Sequence, residues 1–393
     1  MSASDFDPAT AEFQRDPHAA WRQLRAECPV ARGGPTGDWW ALACYDDIVA
    51  AAADDRTFTS TRGVTIGEGI IGPPRFPMHY DPPQQTHYRR IMHAPFLDAN
   101  VLPLEPVFRA NTRALLEPVL ATHGGEMVQA FTSPLPTRNL AAFLNIPLPM
   151  VDELAHQIRQ FEAHVTSDPP VARAASERMF AHARGLVALR QREPLDPATD
   201  LVTCLLQSRI DGQPLDPEAV VGTVRIIYIA GHIALLFALG SCIAFLATHP
   251  DIQQRLREAP EDIAHAVEEL LRLETPNEGF ARTATRDVQV RARTIAAGQR
   301  VAFVFTSANR DSAIFDEPET FRLDRDRVAS RHLAFGHGAH KCPGATLSRI
   351  ELRVAIEELL THTRSITLDG EPTYATWPVY GPETLPVRLE PQQ

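Results

Sequence analysis

The sequence predicts a mainly α-helical fold with small β-sheets. Apolar residues recur at helical spacing in five long stretches, 101–120, 176–190, 217–248, 260–273 and 345–361. Runs rich in β-forming residues are short and lie at 288–290, 300–305 and 386–389. No Gly/Ser linker, low-complexity segment or internal repeat divides the 393 residues, so we expect a single domain over residues 1–393.

Proline positions support the helix boundaries. The chain has 33 prolines, and many lie where a helix must begin or end. Pro217 and Pro260 each open a predicted helix, and the last helix is predicted to begin at Ala345, directly after Pro343-Gly344.

One predicted helix could also be interpreted as a membrane span. Residues 226–248 contain only His232 as a possible charge and are long enough to cross a bilayer. The segment lies in mid-chain, lacks flanking aromatic belts and contains Gly231 and Gly240. A helix buried on all sides has the same composition. We therefore expect a core helix and no membrane association, with the membrane span as the alternative.

The charge balance excludes one class of partner. The chain has 38 basic and 49 acidic residues, a formal net charge of −11, and no basic run, which argues against nucleic acid. The only lysine is Lys341, and Arg331, Arg349 and Arg353 lie near it in sequence. Such a patch on an acidic protein could receive an acidic redox partner, or it could be an ordinary solvated surface.

Cysteine usage and the amino terminus indicate the compartment. The five cysteines are scattered and odd in number, so the sequence does not predict a disulfide framework. Polar and acidic residues follow Met1 instead of a charged start and an apolar core. We expect no secretion signal and no amino-terminal anchor, and hence a cytoplasmic protein.

The most informative motif surrounds Cys342. It reads Phe335-Gly336-His337-Gly338-Ala339-His340-Lys341-Cys342-Pro343-Gly344. A thiolate just before a helix is stabilised by the amide donors and the positive dipole end, and such a sulfur suits a haem iron. Gly336 and Gly338 let the backbone approach a flat macrocycle, while Phe335 can shield the sulfur. The alternative is an ordinary buried thiol in a glycine-rich turn.

This run resembles the cysteine-ligand loop of the cytochrome P-450 family of haem-thiolate enzymes. The resemblance implies the cytochrome P-450 fold enclosing haem b, with Cys342 as the iron ligand. It also places Phe335, Gly336 and Gly344 in the cofactor-binding loop. Electrons would come from a ferredoxin or flavodoxin-type donor, as in the soluble bacterial members.

A second resemblance concerns a buried charge network. Glu269 and Arg272 are three residues apart on one helical face, and they are similar to the Glu-x-x-Arg signature of the family. The segment with Phe315, Pro318 and Phe321 looks like the family's meander, whose arginine, here Arg325, joins that pair. By resemblance these residues are structural.

The propionates of the haem require cationic donors. In Asp81-Pro82-Pro83-Gln84-Gln85-Thr86-His87-Tyr88-Arg89 the pair Gln85 and Arg89 resembles the start of the family's C helix, whose arginine binds a propionate. Arg282 and His340 match two further propionate-binding positions. The resemblance therefore implies an anion clamp of Arg89, Arg282 and His340.

The predicted helix 217–248 resembles the family's central I helix, which crosses the molecule above the haem. The family usually has Ala/Gly-Gly-x-Asp/Glu-Thr there, and its acid and alcohol relay protons to dioxygen. The matching residues here are Ala230, Gly231, His232, Ile233 and Ala234. Ile233 and Ala234 have no ionisable or hydrogen-bonding side chain, so the usual proton path is missing.

Three functions remain open at this point. The first is a monooxygenase in which water, a substrate hydroxyl or His232 replaces the relay. The second is an enzyme that uses peroxide or couples substrates oxidatively, and the third is a non-catalytic haem-dependent ligand binder. His232 can equally be a packed helix residue.

The substrate pocket is expected to be mostly apolar, which favours a small hydrophobic or aromatic substrate held by shape. By resemblance it draws on loop 65–80, the region 155–185, Ile229 with Ala230, Ile233 and Ala234 of the central helix, Asn277, Gly279, Phe280, Val379 and Tyr380. Arg75 could meet a substrate carboxylate or could be an exposed loop arginine.

Overall fold

The structure, a computed structural model, describes residues 5–66, 75–164, 168–375 and 377–392. Its α-helices are α1 (Ala11–Arg15), α2 (Pro17–Glu27), α3 (Tyr45–Ala53), α4 (Gln84–Ile91), α5 (Asp98–Val101), α6 (Glu105–Ala121), α7 (Pro134–Phe143), α8 (Leu148–His164), α9 (Pro169–Arg192), α10 (Leu201–Gln207), α11 (Pro217–Thr248), α12 (Pro250–Glu258), α13 (Ile263–Leu273), α14 (Phe305–Ala308), α15 (Val328–Arg331) and α16 (Ala345–His362).

The strands are short in comparison. They are β1 (Val30–Gly33), β2 (Trp39–Leu42), β3 (Phe58–Thr59), β4 (Gly124–Glu126), β5 (Arg209–Ile210), β6 (Gln213–Pro214), β7 (Gly279–Ala284), β8 (Val288–Val290), β9 (Arg293–Ile295), β10 (Arg300–Val304), β11 (Thr363–Leu368), β12 (Thr373–Ala375), β13 (Gly381–Thr384) and β14 (Pro386–Pro391). The predicted fold class, mainly helical with small sheets, is confirmed.

The predicted central helix has the bounds that the sequence indicates. Asp216 caps the start of α11 by accepting a hydrogen bond from the amide of Glu218, and Pro217 occupies the first turn. The helix ends at Thr248, one residue before His249-Pro250, because the residue before a proline disfavours helical geometry. Local signals at both ends therefore fix this element.

Other predicted bounds shift by a few residues. A 3-10 turn at Leu102–Leu104 precedes α6, and another at Pro260–Asp262 precedes α13. The helix predicted at 176–190 begins earlier, at Pro169, because the Asp168 side chain caps the amide of Val171. Strand β10 ends at Val304, where the short helix α14 begins.

The chain forms two compact units. The first unit comprises Met1–Thr86, His265–Cys342 and Tyr374–Gly381. It contains a five-stranded sheet in the order β1-β2-β10-β7-β3, in which β10 pairs parallel to β2 and antiparallel to β7. Aromatic and aliphatic side chains fill the core against this sheet, among them Trp40, Leu42, Ile48, Phe58, Phe303 and Phe305.

A buried charge network stabilises the first unit. The two carboxylate oxygens of Glu269 accept hydrogen bonds from Arg272, both at 2.8 Å, and one of them also accepts from Arg325 at 3.0 Å. Arg272 donates further to the carbonyls of Asn309 and Pro318. Glu269 and Arg272 are fully buried, so these bonds offset the cost of removing both charges from water.

The second unit is built around α11. It comprises His87–Ala264, Pro343–Thr373 and Pro382–Gln393. Helices α7, α8, α9 and α16 and strand β11 pack against α11, and β11, β14 and β4 form a three-stranded sheet. Among the described residues α11 alone is long and apolar enough to cross a bilayer, and 67% of its most apolar window is buried inside the protein. This burial favours the core-helix interpretation.

A buried polar chain links three helices of the second unit. Asn111 on α6 donates to the Oδ1 atom of Asn139 on α7, and Asn139 donates to Glu351 on α16 at 3.0 Å. Burial raises the pKa of Glu351 to about 8, although the hydrogen bond from Asn139 opposes the shift. The carboxyl is therefore protonated in the folded protein at neutral pH.

We expect Glu351→Gln to stabilise the protein increasingly as the pH rises. The carboxyl ionises near pH 4.5 in the unfolded chain but near 8 in the folded protein. Stability from the protonated form is thus complete below pH 4.5 and is lost between pH 4.5 and 8. Thermal unfolding measures the Tm of both proteins over this pH window. The Tm of the variant should rise relative to that of the wild type by roughly 3–6 °C between the two ends of the window.

Glu358→Gln, on the same helix, is the matched control. Burial alone would raise the pKa of Glu358, but hydrogen bonds from Arg113 and Arg109 outweigh it and lower the pKa. A lowered pKa contributes stability at neutral pH that is lost in acid, so this variant should be least stable relative to wild type at neutral pH. Equal pH profiles of the two variants would contradict the assignment of Glu351.

Candidate active site

The loop before Cys342 is closed by one backbone hydrogen bond. The amide of Cys342 donates to the carbonyl of Phe335 at 2.8 Å, so eight residues fold back on themselves. The buried side chain of Gln85, on α4, donates to the carbonyl of Ala339 at 2.5 Å. The Asn309 side chain accepts from the amide of Leu333 at the start of the loop. Contacts from distant segments therefore fix the position of the half-buried Cys342.

The two glycines of the loop have different roles. Both have positive φ, +70° at Gly336 and +71° at Gly338. A Cβ atom at Gly336 would meet nothing closer than 3.9 Å, which leaves this side of the loop open to a flat group. A Cβ atom at Gly338 would lie 2.3 Å from the carbonyl oxygen of Ala52 in α3. The close approach of α3 therefore requires a glycine at 338, and the expectation that Gly338 also makes room for the macrocycle stays a prediction.

Cys342 precedes the first residue of α16, Ala345, by three positions, and Gly344 is the N-cap residue of that helix. Among the residues described, no group of three or more His, Cys, Asp or Glu side chains is placed to hold a metal ion. A metal at Cys342 would consequently have fewer than three such protein ligands there. Such a donor set fits an iron whose other ligands come from a macrocycle.

Arg282 on β7 is a buried cation with unused donors. Its guanidinium donates to the carbonyl of Ala281 and lies 5.7 Å from the ring centroid of Phe303. No carboxylate of the described residues forms a salt bridge with it. Burial lowers the pKa of Arg282 to about 10, with Asp81 acting in the opposite direction. Since a buried guanidinium requires anionic partners, the site fits a propionate.

His340 is connected to the same region of the first unit. Its Nε2 atom lies 3.3 Å from the hydroxyl of Ser60, and that hydroxyl donates to Asp81 at 2.8 Å. Asp81 also accepts from the backbone amide of Ser60 at 3.0 Å. The structure therefore joins His340 through Ser60 to Asp81, the carboxylate that acts on Arg282. The role of Ser60 in this link was not predicted from the sequence. The sequence offered only one hint of a polar site here, Asp81 directly before Pro82-Pro83.

Arg89 lies one turn after Gln85 on α4 and is half-buried. This spacing places the two side chains on the same side of the helix. Gln85 is already committed to the carbonyl of Ala339, so it orients α4 against the loop. The expected pairing of Gln85 and Arg89 is thus geometrically consistent, and the propionate-binding role of Arg89 stays a prediction.

One side of α11 is open in the middle of the helix. Ala230 is exposed, and Ile229, Gly231, Ile233 and Ala234 are half-buried, whereas the stretch from Leu235 to Ser241 is buried. Every side chain at the opening is aliphatic or absent, and none can form a hydrogen bond. The opening is therefore an apolar surface at the position where the resemblance implies the oxygen-binding region.

His232 lies on the opposite side of α11 from this opening. At about 100° per residue, His232 is roughly 160° from both Ala230 and Ala234. It is fully buried, with Nδ1 at 3.0 Å from the Thr137 hydroxyl and Nε2 at 3.1 Å from the Glu162 carboxylate. Both ring nitrogens are engaged, which favours the packed-residue interpretation over the proton-donor one.

The structure pairs two of the predicted pocket segments. Asn277 and Val379 form an antiparallel bridge, and the amide of Tyr380 donates to the carbonyl of Pro276 at 2.9 Å. Phe280 is half-buried beside Phe305. Gly279 is buried, and its Cβ would lie 2.6 Å from the carbonyl oxygen of Phe303. The glycine at 279 is therefore required by the close approach of β10, whatever else lines the pocket.

Glu278 lies between the predicted pocket residues Asn277 and Gly279, but its burial was not predicted from the sequence. It is fully buried, and its Oε1 atom accepts from the indole nitrogen of Trp21 at 3.1 Å. Burial raises the pKa of Glu278 to about 7, while the hydrogen bonds from Trp21 and the Trp377 backbone oppose the shift. No local sequence signal marks this carboxyl, because its burial depends on the distant α2.

The predicted basic patch is weaker than the sequence suggests. Arg353 donates to Glu105 at 2.5 Å and to Glu357 at 2.7 Å, so its charge is neutralised within the second unit. Arg331 is exposed, donates to the carbonyl of Ile314 and stacks on Phe315. Lys341 is exposed. Arg353 is therefore removed from the candidate docking residues.

Parts of two predicted pocket regions lie outside the described residues. These are 67–74 in loop 65–80 and 165–167 in the region 155–185. The neighbouring Arg75 is described; burial lowers its pKa. The alternative of a merely exposed loop arginine is accordingly not supported.

Comparison with known proteins gives a consistent family assignment. The family model described as Cytochrome P450 matches residues 150–374. Cytochrome P450 130 from Mycobacterium tuberculosis is 33% identical over 375 residues, covering 92% of this chain and 91% of that protein. Mycinamicin IV hydroxylase/epoxidase from Micromonospora griseorubida is 32% identical over 379 residues, covering 93% of this chain and 94% of that protein.

Solved structures agree with the sequence comparisons. The cytochrome P450 CYP109Q5 from Chondromyces apiculatus superposes with a TM-score of 0.89 at 26% identity and covers 98% of each chain. The relatives are bacterial, and they match over nearly the full length. The chain belongs to the cytochrome P450 family, and it is an oxidoreductase of the monooxygenase type that carries haem b.

Proposed function

We propose that this enzyme oxidises a small hydrophobic or aromatic molecule with dioxygen and electrons from a ferredoxin or flavodoxin-type donor. The observation that carries the proposal is the opening on α11, where Ala230, Ile233 and Ala234 present only aliphatic surface. A substrate held there gains affinity from apolar burial and shape, since these side chains offer no hydrogen bond. We further propose that the enzyme acts in the cytoplasm.

The residues of the chain fit the cofactor in charge and shape. Cys342 would hold the iron as a thiolate, and Arg282 and His340, with Arg89, would bind the propionates. Gly336 leaves open space beside the loop, which supports a flat group there. When bound, the haem supplies the redox chemistry that activates the oxidant. The chain supplies the ligand, the counter-charges and a water-poor pocket.

The name of one relative supports a hydroxylation or an epoxidation of the substrate. That relative is named a mycinamicin IV hydroxylase/epoxidase. Within the first unit, Phe280 and the paired segment at Val379 and Tyr380 present aromatic and aliphatic surface. Tyr380 carries a hydroxyl, and burial raises its pKa. It therefore stays protonated and can donate one hydrogen bond to a polar group of the substrate.

A second candidate function follows from Ile233 and Ala234. Neither side chain can hold or pass a proton, and His232 lies on the other side of the helix. A monooxygenase of this kind must obtain protons from water or from a substrate hydroxyl. A reaction with peroxide, or an oxidative coupling, depends less on that path. The lack of a proton-passing side chain at Ile233 and Ala234 therefore favours a peroxide-using or coupling enzyme as the alternative.

Cys342→Ser is expected to abolish the thiolate spectrum. A hydroxyl is a poor donor to the iron, so the reduced protein with carbon monoxide should lose its thiolate-type absorption band. Cys28→Ser is the control, because that thiol lies 3.6 Å from the carbonyl oxygen of Val30 and is remote in sequence from the loop. A variant at 342 with an unchanged spectrum would exclude Cys342 as the ligand.

Arg282→Leu is expected to weaken haem retention. Charge-assisted hydrogen bonds to a buried anion contribute about 1.5–3 kcal/mol, so the haem dissociation constant should rise roughly 10–100-fold. Haem transfer to an acceptor protein measures this change. Arg300→Leu, on the adjacent strand, is the control; Arg300 donates to the carbonyl of Gly63 and to Thr283. Equal haem loss from both variants would contradict the propionate role.

The oxidant distinguishes the two candidate functions. With ferredoxin, ferredoxin reductase and NAD(P)H the enzyme should form product, and hydrogen peroxide alone should give less. We expect the double variant Ile233→Glu, Ala234→Thr to raise the product formed per NAD(P)H oxidised, because it restores a proton relay. Product formed with peroxide only would support the alternative and exclude the reductant-dependent reaction.

A further inference from the structure

Three polar side chains form one stripe on the mainly apolar α11. Arg225 donates to the Ser176 hydroxyl at 2.6 Å, and the Tyr228 hydroxyl lies 3.0 Å from the His182 ring. His232 completes the stripe. Positions separated by three and seven residues share one side of a helix, so the stripe faces α8 and α9 along two turns.

His232 is the member of the stripe that joins two other helices. Its Nδ1 atom pairs with Thr137 on α7 at 3.0 Å, and its Nε2 atom pairs with Glu162 on α8 at 3.1 Å. A neutral imidazole satisfies both contacts, because Nε2–H donates to the carboxylate and Nδ1 accepts from the hydroxyl. His232 and Thr137 are buried, and 23% of the Glu162 side chain is exposed. Both ring nitrogens of His232 are thus hydrogen-bonded inside the second unit.

Close packing beside His232 restricts the helix further. A Cβ atom at Gly231 would lie 3.2 Å from Leu140 Cδ1, and Leu140 is one turn after Thr137 on α7. Helix α7 therefore contacts α11 through a hydrogen bond and a tight apolar contact at adjacent positions. Rotation of α11 would break the first contact and cause a clash at the second.

The opening on α11 lies on the side of the helix opposite to the contacts of His232. Ala230 and Ala234 flank the direction opposite His232, at roughly 160° on either side. Ile233 and Ala234 have no polar group with which to hold this part of the helix from the open side. The contacts of His232 with Thr137 and Glu162 lie on the side of α11 opposite the opening.

We propose that His232 is a positioning residue, whose hydrogen bonds to Thr137 and Glu162 hold the Ala230–Ala234 side of α11 at the rotation and depth that determine which rigid ligands fit there. The inference rests on the proposed function, in which a substrate is held against this side of α11. His232 itself touches neither substrate nor cofactor.

Two azole probes test the proposal without a known substrate. Imidazole is small, whereas 4-phenylimidazole is rigid and must fit its ring against the open side of α11. Optical titration of the haem-loaded protein gives a dissociation constant for each probe, and their ratio reports the fit of the larger one. In His232→Leu we expect the ratio to change on the order of tenfold, since small displacements in a packed site have large effects.

Matched variants separate positioning from general stability. Tyr228→Phe removes a hydrogen bond from the same stripe, one turn earlier, and should lower the Tm with an unchanged ratio. Glu162→Gln retains an acceptor for His232 and should keep the wild-type ratio. Thr137→Val removes one partner at nearly constant volume, and it should shift the ratio in the same direction as His232→Leu.

The outcomes distinguish the inference from the function beneath it. If the wild type binds neither azole to its iron, the iron is not accessible to a ligand and the proposed function fails. If the wild type binds both and Thr137→Val and His232→Leu leave the ratio unchanged, only the positioning role is overturned. Should His232→Leu fail to fold, Thr137→Val alone decides the question.

Discussion

The hydrogen bond from the amide of Cys342 to the carbonyl of Phe335 is the constraint on which the candidate site depends. It closes the loop and fixes where the sulfur can lie relative to Gly336 and His340. Gln85 holds the loop by donating a hydrogen bond to the carbonyl of Ala339, and Gly338 holds it by packing on α3. A thiolate ligand needs a fixed position as well as a low pKa, and backbone contacts provide that position.

Charge in this protein is handled in two different ways. Glu269 is surrounded by arginines, so the network carries its own counter-charges and makes a rigid, self-contained scaffold. Arg282 is buried with only a neighbouring carbonyl as a hydrogen-bond partner among the described residues. An arginine left in this state is costly unless an anion binds. The contrast separates a structural network from a binding site.

Helix α11 shows how one element can serve packing and function together. Its polar stripe forms hydrogen bonds with α7, α8 and α9, and its opposite side is open and aliphatic at Ala230 and Ala234. The sequence pattern made both the length and the apolar character of the helix predictable. It left the role of His232 open, because a histidine on an apolar helix has the same sequence signature whether it donates protons or packs.

The sequence by itself determined the fold class, the bounds of α11, the Cys342 motif and the pairing of Glu269 with Arg272, because each depends on residues close together in the chain. Only the tertiary structure decided that Gly338 serves α3, that Arg353 is neutralised by Glu105, and that Glu278 is buried on Trp21. These facts depend on segments far apart in sequence. The strength of these contacts and ion pairs depends on burial and on the distance between partners, and local sequence spacing encodes neither quantity.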